Sequence, residues 1–353
     1  MSITVTIGPS SIKKDVLINL KKAGAKRFRI NLSHSNKDSL VDYFNIIQSC
    51  GISPSIDTQG AQIRIKEFSL INSYLREGQL LDIIFENFEF KCFSEEYIKL
   101  SCKEAFYQIS KDDILKLDFN GLAIRILSSE KNFHFKGKVI SEGKVLLNKA
   151  VDVSGKSLSL PILTDFDEYA IDYALNRGTK TVFASFVSNL EQAKIVKDKI
   201  GKDCILVSKI ETSLGVKNIN DITNFSDEIL IDRGDLSRET SITGIPIVTS
   251  RIIKKANQNN CPVHVATNIL DSMMNNPIPS RAEVSDIFNL LKDNVAGLVL
   301  AAEVAIGNNP VSSTALLSYL FCVYKKYNEK SFDLIEKDKP SISLLGKELF
   351  NWI

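Results

Sequence analysis

The chain has 353 residues, 44% hydrophobic and 24% charged, with a formal net charge of +2. That composition suits a soluble globular protein with one large core plus a smaller domain, and a charge so near neutrality supplies no field for nucleic acid or a membrane surface. No run reaches the ~20 apolar residues of a membrane span. The N-terminus, MSITVTIGPSS, lacks a basic segment leading into an apolar one, so no secretory signal is expected. The cysteines Cys50, Cys92, Cys102, Cys204, Cys261 and Cys322 are scattered without a Cys-x-x-Cys pair. They read as small core residues in a reducing cytoplasm, not as zinc ligands. Only His34, His134 and His264 are available for histidine chemistry.

Strand-like and helix-like segments alternate along the chain. Strand candidates are Ile3–Ile7, Arg27–Leu32, Ser53–Asp57, Thr181–Phe186, Ile205–Ile210, Glu228–Asp232, Pro262–Thr267 and Gly297–Ala302. Helical spacing follows most of them: Phe166–Asn176, Leu190–Ile200, and Ser280–Asp293, where Ser280 and Glu283 predict a capping box. Strand–helix alternation implies parallel strands, and eight units imply a closed (β/α)8 barrel. The pattern breaks once. From about Lys66 to Asn148 it turns to short period-2 runs such as "GLAIRIL" and "FHFKGKVI", which predicts an inserted all-β domain able to serve as a lid. The expected organisation is barrel over 1–65, insertion over 66–148, barrel over 149–330 and a C-terminal tail over 331–353.

Barrels of this kind do chemistry at the C-terminal ends of their strands. Reading those ends collects Thr6, Arg29, Asn31, Ser33, His34, Asp57, Thr58, Ser185, Phe186, Lys209, Glu211, Arg233, Gly234, Asp235, Thr267 and Glu303 on one rim. Alternation in "VSKIE" points Lys209 and Glu211 the same way. Glu211 and Asp235, from adjacent strands, suit Mg²⁺, which takes one or two carboxylates and completes its shell with water and substrate oxygens. Gly234 permits close backbone approach to a ligand, and N–H groups after it can receive a carboxylate. A metal, a lysine and an anion nest fit a substrate that develops enolate or phosphoryl charge.

These motifs resemble pyruvate kinase. The matching stretches are "TIGPSS" (6–11), "FRINLSHS" (28–35), "IDTQGAQIR" (56–64), "ASFV" (184–187), "SKIETSLGVKNINDI" (208–222), "RGDLSRE" (233–239), "PVHVATNILDSMMNNPIPSRAEVSD" (262–286) and "AAEVAIGNNPV" (301–311). The resemblance implies phosphoryl transfer between phosphoenolpyruvate and ADP, giving ATP and pyruvate. It implies Mg²⁺ or Mn²⁺ at Glu211 and Asp235, and Lys209 stabilising charge on the phosphoryl group and the enolate. It places Gly234, Asp235 and Thr267 at the substrate's carboxylate end and Arg29 at phosphate. It assigns Asn31, Ser33, Asp57 and Thr58 to K⁺, and Asn31, His34, Arg64 and Lys149 to the nucleotide. It also implies a homodimer through the barrel, since the family's regulatory C-terminal domain, with its sugar-phosphate site, has no counterpart after Val311.

The chain departs from the family pattern at identifiable positions. Gln59 stands for a lysine, Ala61 for a proline, and Gln62 for a glutamate linked with K⁺ dependence. Asn120 replaces an aspartate, Ser188 an arginine, and Ala301 a serine of the proton relay to the enolate. Asp232 adds a negative charge where the family has a small apolar residue, and it is the residue expected to mark an altered substrate. The functional expectation is a short, unregulated pyruvate-kinase-like phosphotransferase acting on phosphoenolpyruvate or a related enol phosphate or hydroxy acid. The alternatives from other classes are a metal-dependent pyruvate-enolate lyase or aldolase and a catalytically impaired binding or regulatory protein.

Overall fold

The computed structural model describes residues 1–86, 95–117, 121–130, 134–156 and 158–329. Asn120 and the 331–353 tail lie outside the described residues. Eight parallel strands close into a barrel: β1 (Ser2–Ile7), β2 (Ala25–Asn31), β3 (Pro54–Asp57), β4 (Thr181–Ala184), β5 (Ile205–Ile210), β6 (Glu228–Asp232), β7 (Val263–Ala266) and β8 (Gly297–Leu300). Each strand pairs with its sequence neighbours and β8 returns to β1, for example Thr4 beside Val299, so the sheet has no free edge. This is the (β/α)8 barrel that the alternation predicts.

The period-2 alternation decides which residues face which way. Val5, Ile30, Ile56, Val182, Leu206, Ile231, Val265 and Leu298 point outward and are buried beneath the helices in the main apolar core. The helices carry their own start signals: Thr164 and Asp167 form a capping box at Asp165–Asn176, and Ser280 and Glu283 form the expected one at Arg281–Lys292. The other parity points into the barrel, and only a thin layer there is apolar: Phe183, Val207, Leu230, Ala266 and Val299. Below and above that layer the interior is charged.

The lower layer joins Arg27 to Glu228. They stand on β2 and β6, four strands apart in the ring, so their ion pair crosses the barrel floor. Arg27 Nη2 donates to Glu228 Oε1 at 2.6 Å, and His264 Nε2 lies 2.8 Å from Glu228 Oε2. Burial pushes the Glu228 carboxyl up, but Arg27 and His264 outweigh it and hold it at about 2, below its ordinary 4.5. A carboxyl depressed on folding stabilises the protein above its unfolded value and loses that contribution as pH falls through the folded one. Glu228→Gln is therefore expected to cost about 3 kcal/mol at pH 7. It should also flatten the loss of stability between pH ~4.5 and ~2. Denaturant titrations across pH check both; an unchanged midpoint at neutral pH would remove the floor pair as a stabilising element.

A second compact unit, Gly60–Pro161, is inserted in the chain between β3 and the Asp165–Asn176 helix. It is all-β: one sheet runs, in spatial order, Val151–Val153, Ile114–Leu117, Leu122–Glu130, His134–Ser141, Leu80–Phe85, Tyr97–Leu100 and Ile65–Ser69. Its own core includes Ile83, Phe85, Ile98, Ile124, Phe135 and Val139. The unit is wider than the 66–148 span read from the sequence, because Val151–Val153 pair with Ile114–Leu117 and Ile65 joins Tyr97–Leu100. Among the described residues no helix is long and apolar enough to cross a membrane.

Candidate active site

At the C-terminal end of the barrel the inward-facing positions converge on one ammonium group. Lys209 comes from β5, where the pleat puts Val207, Lys209 and Glu211 on the same face. Its Nζ lies 3.1 Å from Asp57 Oδ1, 2.8 Å from Glu211 Oε1, 3.0 Å from the Ser185 hydroxyl and 3.7 Å from Asp232 Oδ2. Burial by itself favours the neutral amine, but Asp57, Glu211 and Asp232 outweigh it and raise the Lys209 pKa above its ordinary value. Lys209 is thus a fixed, buried positive charge.

Arg29 is the second buried cation, 2% exposed. Its Nε and Nη2 donate to the Thr6 hydroxyl at 3.1 and 2.8 Å, while Nη1 is 2.9 Å from Asp57 Oδ2. Asp57 therefore bridges Arg29 and Lys209 and locks the position of both. Ser185 closes the network from β4: its hydroxyl reaches the Thr58 carbonyl at 2.5 Å and its N–H donates to the Thr58 hydroxyl at 3.0 Å.

Glu211 Oε2 accepts the Phe186 N–H at 2.6 Å, from a residue held at φ 59°. Burial, with the Asp235 and Asp232 carboxylates nearby, pushes the Glu211 carboxyl up to about 8 against the opposing pull of Lys209. Among the described residues, Glu211, Asp232 and Asp235 form a group in which one carboxylate oxygen from each lies within 4.8 Å of the others. Clustered carboxylate oxygens are the donors that Mg²⁺ and Mn²⁺ prefer, and a divalent ion would relieve the crowding that raises Glu211.

The turn after β7 carries the most strained backbone of the site. Thr267, a β-branched residue, sits at φ 74° and Asn268 at φ 56°. Such a conformation costs on the order of 1–3 kcal/mol and persists only where neighbours hold it. Arg233 does so: its Nε and Nη2 donate to the Thr267 carbonyl at 3.1 and 2.7 Å, Nη2 reaches the Asn268 carbonyl at 3.1 Å, and Nη1 pairs with Asp286 at 2.7 Å. Gly234 packs against Thr267; an added Cβ would meet Thr267 Cγ2 at 3.1 Å. Asp232 caps the Arg233–Glu239 helix: its Oδ1 accepts the Thr267 hydroxyl at 2.6 Å and the Gly234 N–H at 3.3 Å.

The structure thus gathers Lys209, Glu211, Arg29, Asp57, Thr58, Gly234, Asp235 and Thr267 at one barrel mouth. Asn31 ends β2, its Oδ1 accepting the Ser33 N–H at 2.9 Å, and His34 is exposed at the end of the Leu32–His34 turn. Arg64 and Lys149 belong to the second unit, where Arg64 Nη1 donates to the Asn148 carbonyl at 2.8 Å. Glu303, on the rim by sequence, is instead buried and accepts N–H groups of Ile269, Leu270 and Ala301 at 3.2, 3.0 and 2.8 Å, which makes it a loop brace. Two departures have local explanations. Gln59 ties the exit of β3 to Thr164 and Asp167, and Ser188 bonds the Phe186 carbonyl and Thr212. Sequence reasoning put Ser185 and Arg233 on the rim and singled out Asp232 but gave none of them its bonding partners; Ser185 and Asp232 carry a legible signal, since both fall on the inward parity of their strands.

Residues 1–314 match the model of the pyruvate kinase barrel domain. The chain belongs to the pyruvate kinase family. It is 33% identical over 344 residues to a pyruvate kinase of Methanocaldococcus jannaschii, covering 96% of this chain and 73% of that one. A pyruvate kinase of Debaryomyces hansenii is 29% identical over 362 residues, with 96% and 71% covered. A crystal structure of a pyruvate kinase from Cryptosporidium parvum superposes with a TM-score of 0.81 at 26% identity, covering 92% of this chain and 69% of that one. The match to pyruvate kinases thus extends over nearly all of this chain and about seven-tenths of theirs.

Proposed function

We propose that this chain transfers a phosphoryl group between ADP and phosphoenolpyruvate or a related enol phosphate. The observation that carries the reading is Lys209: a lysine kept charged at the centre of a barrel mouth, beside a carboxylate cluster of divalent-cation type. Phosphoryl transfer needs little covalent help from a protein and much positioning and charge stabilisation, which is what this arrangement can supply. Lys209 would balance charge on the moving phosphoryl group and the enolate oxygen. Arg29, oriented by Thr6 and Asp57, would hold phosphate oxygens. Thr267 and Gly234 would lie at the far end of the small substrate. Asn31, His34, Arg64 and Lys149 are kept for nucleotide phosphates.

Mg²⁺ or Mn²⁺ held by Glu211 and Asp235 would neutralise charge on the phosphoryl and enolate oxygens. Asn31, Ser33, Asp57 and Thr58 are the oxygens proposed for K⁺, and Arg29 and Lys209 already compensate Asp57 beside them. Action in the cytoplasm and a homodimer through the barrel complete the proposal. The test is ATP formation from ADP with a panel of enol phosphates, at defined Mg²⁺ and with or without K⁺. Divalent-dependent ATP formation from at least one of them is expected. No transfer from any, or carbon–carbon cleavage in its place, would sink the phosphotransferase reading.

A further inference from the structure

Asp232 is placed unlike an ordinary helix cap. A cap needs one acceptor for the first free N–H groups, and serine, threonine or asparagine would serve as well without a charge. Here the Gly234 N–H contact is the long one, at 3.3 Å, and the short one, at 2.6 Å, is from the Thr267 hydroxyl. Its second oxygen faces Lys209 Nζ at 3.7 Å. The chain's own carboxylate therefore sits on the hydroxyl and the N–H that would otherwise receive an anionic substrate end, with a lysine behind them.

A carboxylate brought to Thr267 would meet Asp232 at contact distance, where like charges repel.

We propose that Asp232 is a specificity-determining residue that fills the carboxylate seat made by Thr267 and Gly234, so that the small substrate is an enol phosphate lacking a carboxylate at that end. The inference rests on the phosphotransferase reading above and narrows its substrate class. Discrimination comes from the unfavourable term: a carboxylate-bearing analogue must displace Asp232 from its donors or share them with it.

Phosphoenolpyruvate and isopropenyl phosphate, which differ by a carboxylate against a methyl group, separate the cases. Their binding to the Mn²⁺-loaded protein is measured by calorimetry, with Mn²⁺ binding itself followed by electron paramagnetic resonance. The wild-type protein is expected to bind isopropenyl phosphate at least as tightly as phosphoenolpyruvate. Asp232→Ala should raise the preference for phosphoenolpyruvate over isopropenyl phosphate tenfold or more, while Mn²⁺ binding, which loses a nearby negative charge, weakens by less than tenfold. Asp232→Asn keeps an acceptor for Thr267 and Gly234 but removes the charge; an intermediate gain is expected, and it guards against a folding defect in the alanine variant. A preference for phosphoenolpyruvate over isopropenyl phosphate that is unchanged or lower in both variants overturns the proposal alone. A tenfold loss of Mn²⁺ affinity overturns it too, by making Asp232 a metal ligand. Failure of both phosphates to bind any of the proteins removes the phosphotransferase reading and this inference together.

Discussion

Replacing Lys209 with methionine is expected to lower kcat for phosphoryl transfer by about 10²- to 10³-fold, the usual effect of removing one preorganised charge or donor from a developing anion. The nucleotide KM should change little, because the charge acts mainly in the transition state. Methionine is close to lysine in length and fills the same space, so the loss is electrostatic. The same change leaves Asp57, Glu211 and Asp232 with Arg29 as the nearest remaining cation. Breaking a buried pair by removing one partner typically costs about 3–5 kcal/mol, so the metal-free variant should unfold earlier. Mn²⁺ should bind the variant more tightly than wild type, since a positive charge beside the carboxylates is gone. Steady-state kinetics and Mn²⁺ titration together check this. Full activity in Lys209→Met would remove Lys209 from the mechanism, and weaker Mn²⁺ binding would remove the charge argument.

Glu211→Gln should have opposite effects on binding and on stability. Glu211 is raised to about 8 by burial and by Asp235 and Asp232, so the metal-free fold keeps it protonated where the unfolded chain, near 4.5, does not. A carboxyl raised on folding makes stability fall as pH climbs from the unfolded value toward the folded one, because the native state then binds the extra proton. Metal-free Glu211→Gln should therefore have a higher Tm than wild type above pH 7 and a flatter pH dependence. It should also lose most Mn²⁺ affinity and activity. In wild type the ligand must shed its proton, so Mn²⁺ affinity should climb as pH rises toward about 8 and level off beyond it. Thermal melts and Mn²⁺ titrations between pH 6 and 9 decide the matter. A variant less stable than wild type at every pH, or Mn²⁺ affinity indifferent to pH, would contradict the picture of three crowded carboxylates.

The stability and metal arguments share one cause, the polar interior of the barrel. Its apolar layer is thin, with Phe183, Val207, Leu230, Ala266 and Val299, and ion pairs lie on both sides of it. The lower pair, Arg27 with Glu228 and His264, closes the floor without facing the candidate site. The upper set of Arg29, Asp57 and Lys209 holds its members in place through one another. Both variants, Glu228→Gln and Lys209→Met, should lose stability, but only Lys209→Met touches the candidate site, so only it should also lose activity.

Period-2 apolar strands spaced by helical segments predict eight parallel strands, and the strand positions follow because alternation is a local property of the chain. Ser280 with Glu283 marks a helix start for the same reason, since a capping box is complete within four residues. The rim residues are legible because a barrel carries every strand's C-terminal end to one mouth, so position along a strand already implies position in space. Pairings between strands are not local. Arg27 with Glu228 is separated by 201 residues and Lys209 with Asp57 by 152, and only closure of the sheet brings either pair together. Glu303 reads on paper as a rim carboxylate, yet three backbone N–H groups from two loops claim it. Asp232 reads as an unexplained charge until Thr267, 35 residues later, turns its hydroxyl onto it through a backbone conformation that Arg233 holds. Sequence by itself thus determined the barrel, the inserted all-β unit and the residues available to the site, because each follows from patterns within a few residues. Tertiary structure decided which of those charges neutralise one another and which donors are already taken, because electrostatic energy depends on distances across the barrel that no stretch of chain contains.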